Sequence, residues 1–241
     1  IDNQPAISVD TKKKENIGNY KNGGKEFCKK GRPIEVETHD FPDKRLGKVI
    51  PYGIYDIGKN KGWVSVGVSS DTAEFAVNSI RTWWYKMGSE CYANATEILV
   101  TADCGGSNNY RARLWKFELQ LLADELQMII HVHHFPPGTS KWNKIEHKLF
   151  SYISKNWRGQ PLVTRETVVN LIANTSTRRG LKVMAVLDEN EYKLGRDVSE
   201  SELEEVRVHH HSFHPEWNYS IVPRPQRSKK LVEEKAALEV L

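Results

Sequence analysis

Apolar positions along this chain fall into two spacings, and the change from one to the other lays out the expected elements. Short strand-like runs come first. "PAISVD" alternates and reads as a strand ending at Asp10, with "ENIGNYKN" placed to return as its hairpin partner. Residues 21–48 mix glycine, lysine and proline without a period and read as an irregular basic loop. "KVIPYGIYDI" and "GWVSVGV" follow as two strands around the turn "GKNKG" at 58–62. The spacing then lengthens to three and four. "DTAE" (71–74) resembles a capping box, and Phe75, Ala76, Ile80, Trp83, Trp84 and Met87 gather on one helix face behind it. "EILVTAD" is a compact strand ending at Asp103, "CGGSN" is a turn, "YRARLWKFELQLLADEL" is a strongly periodic helix and "MIIHVHHF" is another strand. After Pro136-Pro137-Gly138 the spacing predicts a helix capped by Thr139 or Ser140. Wound at ~100° per residue, it puts Trp142, Ile145, Leu149, Phe150, Tyr152 and Ile153 on one buried arc. "TRETVVNLIANT", capped by Thr164, is the next helix, and "LKVMAVLD" is a strand. Residues 188–219 show no clear period, and "RPQRSKKLVEEKAALEVL" reads as a charged tail, frayed or disordered.

Strands first, then helix and strand in alternation, predict an α/β fold. Its mixed sheet is antiparallel in the first strands, parallel in the later ones and covered by helices. Composition agrees with such a domain: 39% of residues are hydrophobic and 27% charged. No run approaches the ~20 apolar residues of a membrane span, and "IDNQPAISVD" lacks a basic-then-apolar signal pattern. Cys28, Cys91 and Cys104 are odd in number and far apart, as in a reduced protein, so the expected location is cytoplasmic. The net charge of +4 is clustered in "KKK" (12–14), "KKGR" (29–32), "RR" (178–179) and "RSKK" (227–230). Such clusters suit a polyanion and equally suit a solvated face.

One residue breaks the helix pattern: Glu146 falls inside the apolar arc. A desolvated carboxylate needs a partner. Either Glu146 is partly exposed and paired with Lys141, Lys144 or His147, or it is a metal ligand. Ligands of open α/β sheets sit beyond the carboxyl ends of strands, and Asp10 and Asp103 both end strands. If those strands are neighbours, the two acids stand side by side. Like charges that close raise one another's pKa unless a cation neutralises them. Carboxylate oxygens suit Mg2+ or Mn2+. Two such ions ~3.5–4 Å apart can activate a water or a 3′-hydroxyl and stabilise the leaving oxygen in an in-line phosphoryl displacement.

Asp56 also ends an apolar strand and competes for the role of first acid. Asp10 is preferred because it lies on the first strand and is followed by basic residues, whereas "IGKNKG" after Asp56 reads as an ordinary turn. Asp71 is read as a helix cap. Gly105 and Gly106 either make a tight turn or let backbone N–H groups approach a phosphate at the next helix N-terminus. Lys12, Lys14, Lys141, Asn143 and Lys144 are candidate contacts to a phosphate backbone. Trp142 is a core residue or a base-stacking platform, and His134 and His147 are candidates to orient water or Glu146. "HVHH" and "HHHSFH" come without a Cys-x-x-Cys or a helical His-x-x-x-His, so zinc is not expected.

Several stretches carry a resemblance: "SVDTKKKENIGNYKN", "IPYGIYD", "DTAEFAVNSIRTWW", "TADCGGSN" and, most specifically, "HHFPPGTSKWNKIEHKLFSYISKNWRG". Together they resemble the Rhodopirellula-type DDE transposases, bacterial insertion-sequence enzymes similar in layout to the Tc/mariner superfamily. The likeness runs from about Pro5 to about Tyr219. It implies an RNase H-like fold, two divalent ions (Mg2+ or Mn2+), and cutting and joining of DNA. Asp10, Asp103 and Glu146 match the first, second and third acids. It also implies paired subunits acting on DNA ends, and an upstream helix-turn-helix region that this chain does not include. Cys104 departs from the small residue expected beside the second acid. The implied organisation is a catalytic domain over 1–187, an extension over 188–223 and the tail over 224–241. A nuclease of the same fold without strand transfer, or an inactive remnant that only binds DNA, would carry the same acids.

Overall fold

The computed structural model describes residues 3–37, 43 and 45–225; the tail and its "RSKK" cluster thus lie almost wholly outside the described residues. The strands are β1 (Ala6–Thr11), β2 (Glu15–Asn16), β3 (Lys48–Asp56), β4 (Lys61–Gly67), β5 (Glu97–Ala102), β6 (Ile129–His134), β7 (Lys182–Asp188), β8 (Val208–His210) and β9 (Asn218–Ile221). They form a sheet in the order β7-β4-β3-β1-β5-β6-β9-β8, with β2 beside β3. β1 lies near the middle, antiparallel to β3 and parallel to β5, and β5 is parallel to β6. β3 and β4 are antiparallel, β7 runs parallel to β4, and β9 and β8 extend the β6 edge antiparallel.

The expected hairpin between "PAISVD" and "ENIGNYKN" does not form. Both edges of β1 are taken, by β3 and β5, so no ladder is left for a third partner. The chain instead continues along β3. Lys12 N–H donates to the Pro51 carbonyl, and Glu15 pairs with Val49.

Helices cover both faces. On one, α1 (Ala73–Trp83) runs through a π turn (Trp84–Gly88) into α2 (Ser89–Cys91), and α1 packs on α3 (Arg113–Leu126). Phe75, Ile80, Trp83, Trp115, Leu119 and Leu122 meet Ile7, Val9, Ile98, Val100, Ile130 and Val132 there. These strand residues alternate, so one side of each strand feeds one core. The Trp115 indole N–H donates to the Tyr219 hydroxyl (2.9 Å), which draws β9, from the stretch without sequence period, into the same core. The cap of α1 is Thr72, whose hydroxyl accepts from Phe75 N–H. Glu74 therefore falls one position short of a capping box, and Asp71 is left free for another role.

On the other face, the segment after the Pro-Pro-Gly turn packs with α4 (Ser151–Asn156) and α5 (Arg165–Ala173) on β3, β4 and β7. The single regular helix expected here is a composite. A 3-10 turn (Ser140–Trp142) precedes a π turn (Glu146–Phe150) that opens into α4. Ile145, Leu149, Phe150 and Ile153 are buried as the arc requires, but Trp142 is 54% exposed. Winding back at a constant angle misplaces it, because the turns before Ser151 are not α-helical. Thr139 does not cap; its hydroxyl donates to the Pro136 carbonyl (2.5 Å). The last helix among the described residues, α6 (Glu200–Glu204), has a full capping box between Ser199 and Glu202.

Two strand glycines seat the π turn. A Cβ on Gly53 would lie 2.5 Å from Phe150 Cε1 and 2.8 Å from Ile145 Cδ1, and one on Gly62 would lie 2.6 Å from Leu149 Cδ1. Gly53 is also the register partner of Asp10. Gly53→Val is expected to destabilise the fold by about 1–3 kcal/mol through overpacking, read as a lower denaturant midpoint. A variant as stable as the parent would show that the turn does not depend on that gap.

Candidate active site

Parallel pairing of β1 with β5 sets Val9 opposite Ala102, so the next residues, Asp10 near the end of β1 and Asp103 just past β5, come side by side at the carboxyl ends of the two strands. They open on a cleft of about 300 Å³ also lined by Thr11, Asp71, Gly106 and Ser107. Asp10 Oδ1 accepts from Thr11 N–H (2.7 Å) and Oδ2 from the Asn143 amide (3.2 Å). Burial, with Asp103 and Glu146 adding like charge, pushes the Asp10 carboxyl up to about 8. Asp103 is also raised, by burial and by Asp71, although its Oδ1 accepts from Gly105 N–H (3.2 Å).

The backbone of Asp103 is anchored from below. His134 Nδ1 meets the Asp103 carbonyl at 2.8 Å, and its Nε2 meets the Tyr219 hydroxyl at 3.1 Å. Burial pushes His134 down to about 4, so the ring is neutral near pH 7. A neutral ring that donates from Nδ1 must accept at Nε2. A chain of hydrogen bonds therefore runs from Trp115 through Tyr219 and His134 to the backbone of Asp103.

Glu146 opens the π turn, half-buried. Burial raises its pKa, Asp103 raises it further, and Lys12 and His147 oppose. The salt bridge that the sequence allowed as an alternative is not made: among the described residues its carboxylate has no ion-pair partner. His147 turns instead to the Lys141 carbonyl (2.6 Å). Asp56 lies at the opposite end of β1, paired in register with Ile7. It is 2% exposed, and the Tyr92 hydroxyl (2.9 Å) and Lys59 N–H (2.9 Å) bond it. It is a buried structural acid away from the cleft. Asp71, read from sequence as a cap, instead accepts from the Thr11 hydroxyl (3.0 Å) at the cleft wall. Nothing in "DTAE" distinguished it from Thr72, since either side chain can cap.

The candidate DNA-contact residues divide. Lys12 is 9% exposed, bonded to Glu15 (3.0 Å) with its ammonium 4.6 Å from the Trp157 ring centre, so it is internal. Asn143 is completely buried and faces Asp10, not solvent. Lys14, Lys141, Trp142 and Lys144 are exposed. Lys13 and Lys14 line both the acidic cleft and a second one of about 460 Å³ that continues to Lys21 and Lys48. Gly106 takes φ +58° and leads into a 3-10 turn, Gly106–Asn108. As α3 begins only at Arg113, the glycines do not stand at its N-terminus. The Cys104 thiol donates to the Phe135 carbonyl (2.9 Å), and burial and Asp103 raise its pKa, which keeps it from the reactive thiolate form. His131 and His133 each lie near the His211 ring, with His131 also bonded to Glu97 (2.7 Å).

As they lie, no three His, Cys, Asp or Glu side chains among the described residues stand close enough to enclose one ion. The chemistry of the acidic cleft nevertheless fits a hard divalent cation. Its donors are carboxylate oxygens, and the Asp10 carboxyl is raised by burial first and by the like charge of Asp103 and Glu146, a repulsion that a dication would reverse.

Central β1 flanked by antiparallel β3 and parallel β5, with helices on both faces of the mixed sheet, is an RNase H-like fold. The chain belongs to the Rhodopirellula transposase DDE domain family, whose model matches residues 1–223. No curated protein matches the sequence. Among solved structures it is similar to the Mos1 mariner paired end complex with Mn, at 16% identity and a TM-score of 0.41 over 68% of this chain and 45% of that one. It is also similar to the Mos1 transposase paired-end complex with left transposon end, at 15% identity and a TM-score of 0.43 over 69% of this chain and 46% of that one. The chain thus spans just under half the length of these structures. Among the described residues no helix is long and apolar enough to cross a membrane.

Proposed function

We propose that this chain cuts DNA at the ends of an insertion sequence and joins it to target DNA, using two divalent ions held by Asp10, Asp103 and Glu146. The observation that carries the reading is the pair of aspartates next after the Val9–Ala102 register pair of β1 and β5, with Asp10 held up to about 8 by burial, Asp103 and Glu146. Membership of the DDE family supports it. Bound there, Mg2+ or Mn2+ would lower the pKa of the attacking hydroxyl and stabilise the leaving oxygen. The chain's own part is to aim the ligands. Thr11 N–H and Asn143 fix the two oxygens of Asp10, Gly105 and His134 fix Asp103, and the seated π turn delivers Glu146. Lys13, Lys14, Lys21 and Lys48 supply a basic path for the phosphate backbone away from the acids. Lys141, Lys144 and exposed Trp142 offer phosphate and stacking contacts on the segment that carries Glu146. We place the active form as paired copies on two DNA ends.

A labelled duplex carrying the element's end, incubated with Mg2+ or Mn2+ and a target duplex, should yield cut and then joined product. Chelation should stop both. Cut product without joined product would favour a nuclease of the same fold, and no metal-dependent product would sink the proposal. Lys21→Gln with Lys48→Gln should flatten the dependence of log binding constant on log salt by roughly 1 for each phosphate no longer neutralised. An unchanged slope in a salt titration would put the backbone path elsewhere.

A further inference from the structure

Asn143 and Ser8 stand in no ordinary catalytic position, yet they are among the most buried polar side chains in the molecule, each 0% exposed. The Ser8 hydroxyl donates to Asn143 Oδ1 (2.5 Å) and accepts from Ile145 N–H (3.1 Å). With its oxygen so occupied, the Asn143 amide turns its N–H2 towards Asp10 Oδ2 (3.2 Å) and the Val9 carbonyl (3.4 Å). The orientation follows from the Val9 backbone carbonyl, which can only accept, and from Ser8, whose hydroxyl hydrogen occupies the amide oxygen. The Asn143 carbonyl also takes the N–H of Glu146 (3.3 Å). One residue therefore touches the first acid through its side chain and the third through its backbone.

We infer that Asn143, locked by Ser8, is a positioning residue that couples Asp10 to Glu146 and sets the spacing of the two carboxylates for metal. The inference rests on the proposed function, in which those acids are the ligands. Its physical basis is the cost of the alternative. With Asn143 removed, Asp10 keeps one N–H donor, from Thr11, and can rotate. The segment carrying Glu146 loses its only described side-chain tie to β1 besides Ser8–Ile145. Outer partners of metal ligands characteristically change affinity by ~10–100-fold when removed.

The test is Mn2+ affinity of the intact chain, read by titration calorimetry, beside its melting temperature. Asn143→Ala should weaken Mn2+ by ~10–100-fold. Ser8→Ala, which frees the amide to swivel, should weaken it less, in the same direction. Gln120→Ala removes another buried amide, 1% exposed and bonded to Asp124 and Val222. It should lower the melting temperature and leave Mn2+ affinity unchanged. If Asn143→Ala fails to fold, Ser8→Ala decides. Equal Mn2+ affinity in the Asn143 and Ser8 variants and the parent overturns the coupling, provided Asp10→Asn abolishes binding. Loss of affinity in Gln120→Ala as large as in Asn143→Ala overturns it too, as a general effect of stability. Unchanged binding in Asp10→Asn would instead overturn the reading of the acids themselves.

Discussion

Asp103→Asn is expected to cut the rate of DNA strand cleavage by about 10³-fold or more while DNA affinity stays within a few-fold of the parent. The substitution is isosteric. Its side-chain oxygen can still accept from Gly105 N–H, and the His134 bond goes to the backbone carbonyl, which the substitution leaves alone. What disappears is one negative oxygen in a cleft that also holds Asp10 and Asp71. Under the proposed function a metal ligand is lost, while the cleft also loses a repulsion. Phosphate approaches the cleft more easily, because one like charge is gone. Single-turnover cleavage and a binding titration on the same protein separate the two effects. Cleavage within tenfold of the parent would remove Asp103 from the catalytic set, and a parallel loss of binding would make it a structural residue.

The second large effect is a stability that falls as pH rises. The Asp10 carboxyl titrates near 8 in the folded chain against 3.8 when unperturbed. Between those values the folded state keeps a proton that the unfolded state has released. This stabilising term is therefore complete below about 4 and is lost as pH climbs through 8. His134 works the other way. Its folded pKa, near 4, lies below the ordinary 6.5, so it adds stability as pH rises across that lower range. The Asp10 effect is therefore cleanest from about 6.5 to 8, where one proton is worth up to ~1.4 kcal/mol per pH unit. In metal-free buffer the melting temperature should drop over that window. Asp10→Asn should flatten the drop, and Mn2+ should reverse it in the parent alone. A parent curve that is flat or rising from 6.5 to 8 would contradict the raised Asp10.

Much of this architecture was legible along the chain because burial writes itself as spacing. The faces of α1 and α3 and the strands that lead to Asp10 and Asp103 follow from where apolar residues recur. What escaped was set by partners far away in sequence. Asn143 sits between a tryptophan and a lysine and looks like a surface residue; its Ser8 partner is 135 positions away. The fate of "ENIGNYKN" depended on β1 having no free edge, a property of the whole sheet. Asp71 and Thr72 are equally able to cap, and only the fold decides between them. Residues 188–219 lack a period because the strands there are short, three residues in β8 and four in β9, with few positions over which to alternate.

The π turn that carries Glu146 has one further consequence. Such a turn holds an extra residue compared with an α-helical one, so it acts as an insertion fixed into the helix. Leu149, Phe150 and Ile153 clamp the chain downstream of Glu146. Removing one exposed residue, such as Lys148, would let the turn tighten to α-helical winding, so the loss is absorbed within the turn and residues upstream keep nearly the same bearing. A second removal finds no slack, and would turn everything upstream by about 100° around the axis, swinging Glu146 away from Asp10 and Asp103. The wide turn is thus a reserve of one residue in the segment that carries the acid. Loss of one exposed residue should be borne far better than loss of two, a contrast that Mn2+ titration of a Lys148 deletion beside a joint deletion of His147 and Lys148 would expose.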